Sequence, residues 1–479
     1  MQNKIEIFNN QVIINYNLAY PKSREVLLKS HTFAKFVQYF IEYQETDNIE
    51  MYDYLTKNKE LSSKEAAYDF CHFLRLLSIF TCEELKDEYY LSNKVATLGV
   101  IEEMYRTWRS LQRFGYMKSD NSTDFGINTL VAFDSAVNDL LLRTYRLFEE
   151  KLMGRPNLVY RQVQAGTNAC FSIHTLDKVW SDEYAALQDI PMIDTVMLRT
   201  PMILHPKSSK RTGMFTEIDT QPMTYFNKGE SNWFCYPCKV GALLCFVYFN
   251  SKYMSSALSM ANLFELATKE ESAQKPDLVV IFGNDDGNDA TNFYYDDAND
   301  IWVGCISDNP RIEYFGYLKK MCLTLHNLAQ MKKGWLPIHG AFVNIYLKDG
   351  TKKGIMLMGD SGAGKSESIE ALKAAAGDMI REVEVVFDDM GTIHLEDGVP
   401  YGQGTEIGAF IRLDDLDPGT PYRDMDRSIF MAPENPNARM IQPAAPYRVV
   451  VHNHKIDLFA YANNYTNEFG LKKLTVQEV

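Results

Sequence analysis

Gly359-Asp360-Ser361-Gly362-Ala363-Gly364-Lys365-Ser366 decides how the rest of this chain is read. The stretch fits Gly-x-x-x-x-Gly-Lys-Ser/Thr, with a strand-like run, Gly354 to Met358, before it and a helix-like run, Glu367 to Ile380, after it. Glycines let the backbone curl tightly enough to aim successive N–H groups at phosphate oxygens, and a helix N-terminus adds a favourable dipole. In such a loop Lys365 neutralises the terminal phosphates and Ser366 ligates a divalent cation, Mg²⁺. The stretch therefore predicts a phosphoryl-transfer domain.

Working outward, strand-like and helix-like runs alternate from about Trp335: Ala341 to Leu347, Gly354 to Met358, the helix, then Val383 to Phe387. That alternation predicts an α/β nucleotide domain over residues 326–479. Asp388 and Asp389 follow the last run, at the strand's C-terminal end, where such a domain needs a carboxylate for its metal. His339 opens the strand before the loop strand; on its own a histidine is more often structural than catalytic.

Further upstream, from about Ala165, short apolar runs such as Thr195 to Leu198, Gly241 to Phe249 and Leu278 to Phe282 predict a β-rich domain over 161–325. The Asn/Asp-rich stretch Gly283 to Asp300 reads as a solvated hairpin connection, since it lacks the flanking helices and terminal Glu of a calcium loop. The first 160 residues open with an alternating strand, Lys4 to Tyr16, and then read as helical. Ser62-x-x-Glu65 is a capping box ahead of Ala66 to Phe80, and Val100 to Met117 and Leu130 to Met153 keep helical spacing. Packing is the expected role of that region. The overall expectation is a mixed α/β protein of three parts.

A net charge of −14 over 479 residues argues against a nucleic-acid or acidic-membrane binder. The longest apolar run, Val240 to Phe249, is about half a membrane span, and Met1 to Asn10 has no apolar signal core, so a cytoplasmic location is the expectation. Eight dispersed cysteines, including the pair Cys235 and Cys238, predict reduced structural thiols.

The residues around the loop carry a resemblance. Tyr314-Phe315-Gly316-Tyr317-Leu318-Lys319-Lys320 precedes His339, the loop and the Asp pair at the spacing seen in the phosphoenolpyruvate carboxykinases, which the chain resembles from about Asp194 to Asn464. The resemblance implies Mn²⁺ held by Lys320, His339 and Asp389, with Asp388 beside them and Ser366 serving Mg²⁺. It implies Arg439, in Glu434-Asn435-x-Asn437-Ala438-Arg439, on the transferring phosphoryl group. Glu406-Ile407-Gly408-Ala409-Phe410 is similar to another family segment, and Arg199-Thr200-Pro201 is similar to the one that grips the carboxylate of oxaloacetate. Lysine binds a metal only as the free amine, and a neighbouring cation such as Lys319 disfavours the charged form. Two adjacent lysines otherwise read as a solvated helix face. Lys332-Lys333-Gly334 copies the motif but lies too close to His339.

The loop's wording, Gly-Asp-Ser-Gly-Ala-Gly-Lys-Ser-Glu, together with His339-Gly340, resembles the HPr kinase/phosphorylases more closely. The sequence therefore leaves open a protein serine kinase, and also a non-catalytic nucleotide-binding assembly protein. The carboxykinase resemblance implies conversion of oxaloacetate to phosphoenolpyruvate and CO2, or the reverse. Carboxykinases continue beyond Tyr461-Ala462-Asn463-Asn464-Tyr465 with a segment that packs the nucleotide base, whereas this chain ends at Val479. The phosphoryl donor thus stays open among ATP, GTP and pyrophosphate, as does the oligomeric state.

Overall fold

A computed structural model describes residues 4–8, 10–118, 127–160, 163–176, 180–359, 379–416, 425–462, 470 and 472–475. The expected phosphate-binding loop beyond Gly359, residues 360–366, lies outside the described residues, as does the expected helix from Glu367 to residue 378. The chain is a mixed α/β protein with several sheets. Among the described residues no helix is long and apolar enough to cross a membrane. All eight cysteines are buried free thiols. Two compact units divide the chain: Met1–Leu204 with Lys228–Tyr236 and Phe249–Leu258, and His205–Asn227 with Pro237–Tyr248 and Ser259–Val479.

In the first unit the capping box forms as expected. Glu65 N–H donates to Ser62 Oγ at 3.3 Å and Ser62 N–H to Glu65 Oε2 at 2.9 Å, opening helix Ser63–Ile79. Helix His31–Asp47 packs on it, and Phe40, Phe70, Phe73, Leu74 and Phe148 fill the core between helices and sheet. Each such buried side chain contributes about 1.5–3 kcal/mol. The expected strand Lys4 to Tyr16 is instead a hairpin, Ile5–Phe8 with Gln11–Asn15, turned at Asn10, whose φ of 62° is one asparagine tolerates.

The expected helix Val100 to Met117 is likewise corrected: the helix is Lys94–Ser110, and Gln112–Lys118 is a strand between Gln11–Asn15 and Ala169–His174, parallel to both. Arg113 explains the stop. Its buried guanidinium donates to the carbonyls of Trp108, Arg109 and Leu111 at 3.1, 2.6 and 2.9 Å, collecting acceptors that the helix end leaves without partners. Helix Ile127–Met153 and strand Met192–Leu198 complete this side.

In the second unit, strands Leu278–Asn284 and Ile301–Ser307 pair in parallel, and Thr291–Asp296 pairs antiparallel with the latter. The Asn/Asp-rich stretch therefore holds a strand of its own. Helix Gly316–Lys332 lies on this sheet; a side chain at Gly304 would meet Met321 Sδ at 2.5 Å, so glycine lets the helix approach.

A six-stranded sheet has the order His454–Lys455, Val399–Gly404, Ile380–Glu396, Leu336–Leu347, Lys352–Gly359, Leu458–Ala462. Only the last pair is parallel. The α/β alternation expected here misread the connection at Lys348-Asp349-Gly350-Thr351: a turn this short, with Gly350 at φ 90°, can join only antiparallel strands. Nor does the strand expected over Val383 to Phe387 end there. It runs for 17 residues, Ile380–Glu396, and places Asp388 and Asp389 in its interior.

Candidate functional site

The site grows from the first turn of helix Gly316–Lys332. That helix is buried on nearly every side, through Tyr317, Leu318, Met321, Cys322 and Leu325, so position 319 is carried inward with its neighbours. Lys319 is 1% exposed, and an ammonium at that depth needs anions. It has two. Its Nζ lies 2.6 Å from Asp389 Oδ2 and 3.0 Å from Glu406 Oε1.

The strand pairing sets Asp389 opposite Gly340 and next to His339, whose Nε2 is 3.1 Å from the second carboxylate oxygen, Asp389 Oδ1. One carboxylate thus bridges a buried lysine and a half-exposed histidine. Asp388 sits opposite Ala341 and, by strand alternation, on the other face from Asp389. The structure divides the acidic pair.

Glu406 is the residue that motif reasoning passed over as a site member. A side chain at Gly408 would fall 1.8 Å from the carbonyl oxygen of Asn262, so only glycine lets this segment run past residue 262 and carry Glu406 and Phe410 to the lysine. The sequence signals were a glutamate in an apolar run, Thr405-Glu406-Ile407-Gly408-Ala409-Phe410, and the resemblance of that segment to a carboxykinase one, which assigned the glutamate no role.

The electrostatics follow from burial and charge count. Burial alone would lower the Lys319 pKa, but Asp389 and Glu406 outweigh it and hold the ammonium above the ordinary lysine range. Burial works against ionised Asp389 too. Lys319, the hydrogen bond from His339 and the charge of Lys320 overcome it and keep the carboxyl well below its usual range. For Glu406 burial prevails: with Asp389 opposing Lys319, its carboxyl is pushed up to about 7.

Arg439 opens strand Arg439–Pro443, its guanidinium carbon 5.4 Å from the centre of the Phe410 ring, and Lys319 Nζ stands 5.6 Å from the same centre. Two cations therefore share one aromatic ring. Among the described residues the buried Nε of Arg439 has no hydrogen-bond partner, which leaves a donor for a ligand oxygen.

Lys319, Asp389, His339 and Arg439 are thus brought together, with Lys320 partly exposed and close enough for its charge to act on both carboxylates. The direct contact to Asp389 comes from Lys319, whereas the resemblance assigned the ligand role to Lys320. Arg199 belongs to the first unit, where its guanidinium pairs with buried Asp134 and donates to the Thr167 carbonyl at 3.2 Å. Gly359 ends strand Lys352–Gly359, and Asp360, Ser361, Gly362, Ala363, Gly364, Lys365 and Ser366 are the loop residues outside the described set. Lys332, in the look-alike motif, pairs with Asp300 at the surface.

The donor chemistry suits a hard divalent cation. An imidazole nitrogen and a carboxylate oxygen 3.1 Å apart have the separation of adjacent ligands in an octahedron with bonds of about 2.1 Å. Among the described residues no group of three His, Cys, Asp or Glu side chains is placed to hold a metal, so a third protein ligand would have to be of another type, such as Lys320. No protein-family model matches the chain, and comparison with curated proteins found no match.

Proposed function

We propose that the chain is a carboxykinase-like enzyme that decarboxylates oxaloacetate and phosphorylates the resulting enolate, giving phosphoenolpyruvate and CO2, or runs the reverse reaction. The observation that carries this reading is buried Lys319, set against Asp389 and Glu406 with His339 on the far oxygen of Asp389. A protein serine kinase has no need of a buried lysine among its metal-binding carboxylates. On this reading the six-stranded sheet belongs to a carboxykinase-like P-loop domain and the parallel-paired strands to a substrate domain.

His339, Asp389 and Lys320 would hold manganese. Bound there, the ion supplies Lewis acidity toward a carbonyl oxygen and the charge of the developing enolate. Lys319 keeps Asp389 ionised and fixes its orientation. The carbon–carbon bond to the departing carboxylate breaks with its electron pair entering the enolate. The enolate oxygen then forms a bond to the terminal phosphorus of ATP, GTP or pyrophosphate, and the donor's bridging P–O bond breaks. Arg439 and Lys365 would offset charge on the transferring group, with Ser366 serving magnesium. The resemblance would put the substrate carboxylate on Arg199, whose guanidinium pairs with Asp134.

The test is incubation of the protein with Mn²⁺, oxaloacetate and each of the three donors in turn. Phosphoenolpyruvate is expected with one of them, and with none of them in His339→Ala. Absence of product with every donor, or full activity in that variant, overturns the proposal. Phosphate on a serine of an added carrier protein would identify a kinase instead.

A further inference from the structure

The first unit encloses a cavity of about 240 Å³ between its hairpin and helices Arg24–Lys29, His31–Asp47, Lys94–Ser110 and Ile127–Met153. This exceeds the roughly 150 Å³ of an engineered apolar cavity that stays dry and takes up benzene. Its wall is mostly carbon, even where the residue type is polar. Tyr16 donates its hydroxyl to Asp134 at 3.2 Å, Trp108 its indole N–H to the Ala165 carbonyl at 2.8 Å, and Tyr145 its hydroxyl to Glu102 at 2.8 Å. Thr144 and Ser30 donate to the Leu140 and Leu27 carbonyls at 2.7 and 2.8 Å. With their polar ends committed elsewhere, these residues turn apolar surface to the cavity, and water inside would find few partners.

The rim differs. Leu18 and Val26 are 48% and 49% exposed there, an apolar entrance open to solvent. Beside them stand Lys4 and His31, both exposed and without an ion-pair partner among the described residues. No aspartate or glutamate is among the described lining residues. In a chain of net charge −14, an apolar chamber whose charge-bearing groups among the described lining residues are both basic is complementary to one kind of small molecule.

We propose that this cavity binds a free amphipathic carboxylate of medium chain length, with the alkyl tail in the chamber and the carboxylate at Lys4 and His31. The inference concerns the first unit alone and is independent of the carboxykinase reading.

The test uses the intact chain and three eight-carbon probes of equal tail length: octanoate, octanol and octylammonium. Heat of binding and the emission of Trp108, which lines the wall, report occupancy. Saturable binding in the order octanoate, octanol, octylammonium is expected. Lys4→Gln with His31→Gln should weaken octanoate roughly fivefold and leave octanol unchanged. Ala19→Phe, which places a ring at the entrance, should weaken both, with the unfolding midpoint monitored to show that the unit remains folded. The octanoate series on the unaltered chain stands even if that variant is unstable. No saturable binding of any probe, or octylammonium binding as tightly as octanoate, overturns the proposal. So does co-sedimentation with anionic phospholipid vesicles in the absence of octanoate binding, which would make bilayer lipid the ligand.

Discussion

Each unit sets a cation against a carboxylate, and the two pairs have opposite characters. In the first, Asp134 is fully buried and its oxygens are consumed: Tyr16, the Thr167 N–H, the Thr167 hydroxyl and Arg199 all donate to them. In the second, one fully buried lysine faces two carboxylates, Asp389 remains 27% exposed with a half-exposed histidine on its outer oxygen, and Glu406 Oε1 lies 3.0 Å from Lys319. A satisfied cluster holds a fold together. A cluster with surplus acid, an open edge and an unpartnered arginine donor nearby has capacity for a ligand.

The comparison breaks first if the lysine is not what holds the second cluster. Lys319→Met strands buried Glu406 and partly buried Asp389 and should cost about 3–5 kcal/mol in urea unfolding at pH 8. A loss under about 1 kcal/mol would mean that the carboxylates find other partners. Arg199→Met in the first unit should cost less, about 1–3 kcal/mol, because Tyr16 and Thr167 still donate to Asp134.

The pH dependence sharpens the contrast. Burial lifts the Glu406 carboxyl from 4.5 to about 7 in the folded state. Between those values the folded chain binds more protons than the unfolded one, so this group's contribution to stability falls as pH rises through the window and levels off above it. Asp389 acts in the opposite sense. Its carboxyl is depressed below 3.8, so its contribution is present above that value and is lost as pH falls through the folded pKa. Glu406→Gln should flatten the slope of unfolding midpoint against pH between 5 and 7, a range set by the Glu406 shift. An unchanged slope would place the titration elsewhere. The smallest expected effect on stability is that of His339→Ala: with a side chain 44% exposed, it should change stability by less than about 1 kcal/mol.

Local structure was legible wherever the deciding forces were local. The Ser62/Glu65 box and the 3.6-residue spacing before Met153 mark helices whose signals lie within a few residues. The helix misread through Met117 shows the opposite case. Its strand at Gln112–Lys118 is fixed by pairing to residues about 100 positions before and about 55 after it, and by an arginine that caps the preceding helix from beyond its end. In the candidate site, His339 and Asp389 were recognisable as chemistry-bearing types, but their meeting depends on the Gly340–Asp389 pairing register. Which lysine turns inward depends on helix phase against a sheet that local sequence does not display. Glu406 was least legible, because a buried acid looks like any other glutamate until its partner is in place.

Manganese titration followed by the paramagnetic resonance of the free ion tests the central claim most directly, because it asks whether the surplus of the second cluster holds a metal without assuming a donor or a substrate. The account predicts one saturable site in the unaltered chain that weakens by about 10- to 100-fold in His339→Ala, with the fold retained. Identical manganese binding by the two proteins would contradict it.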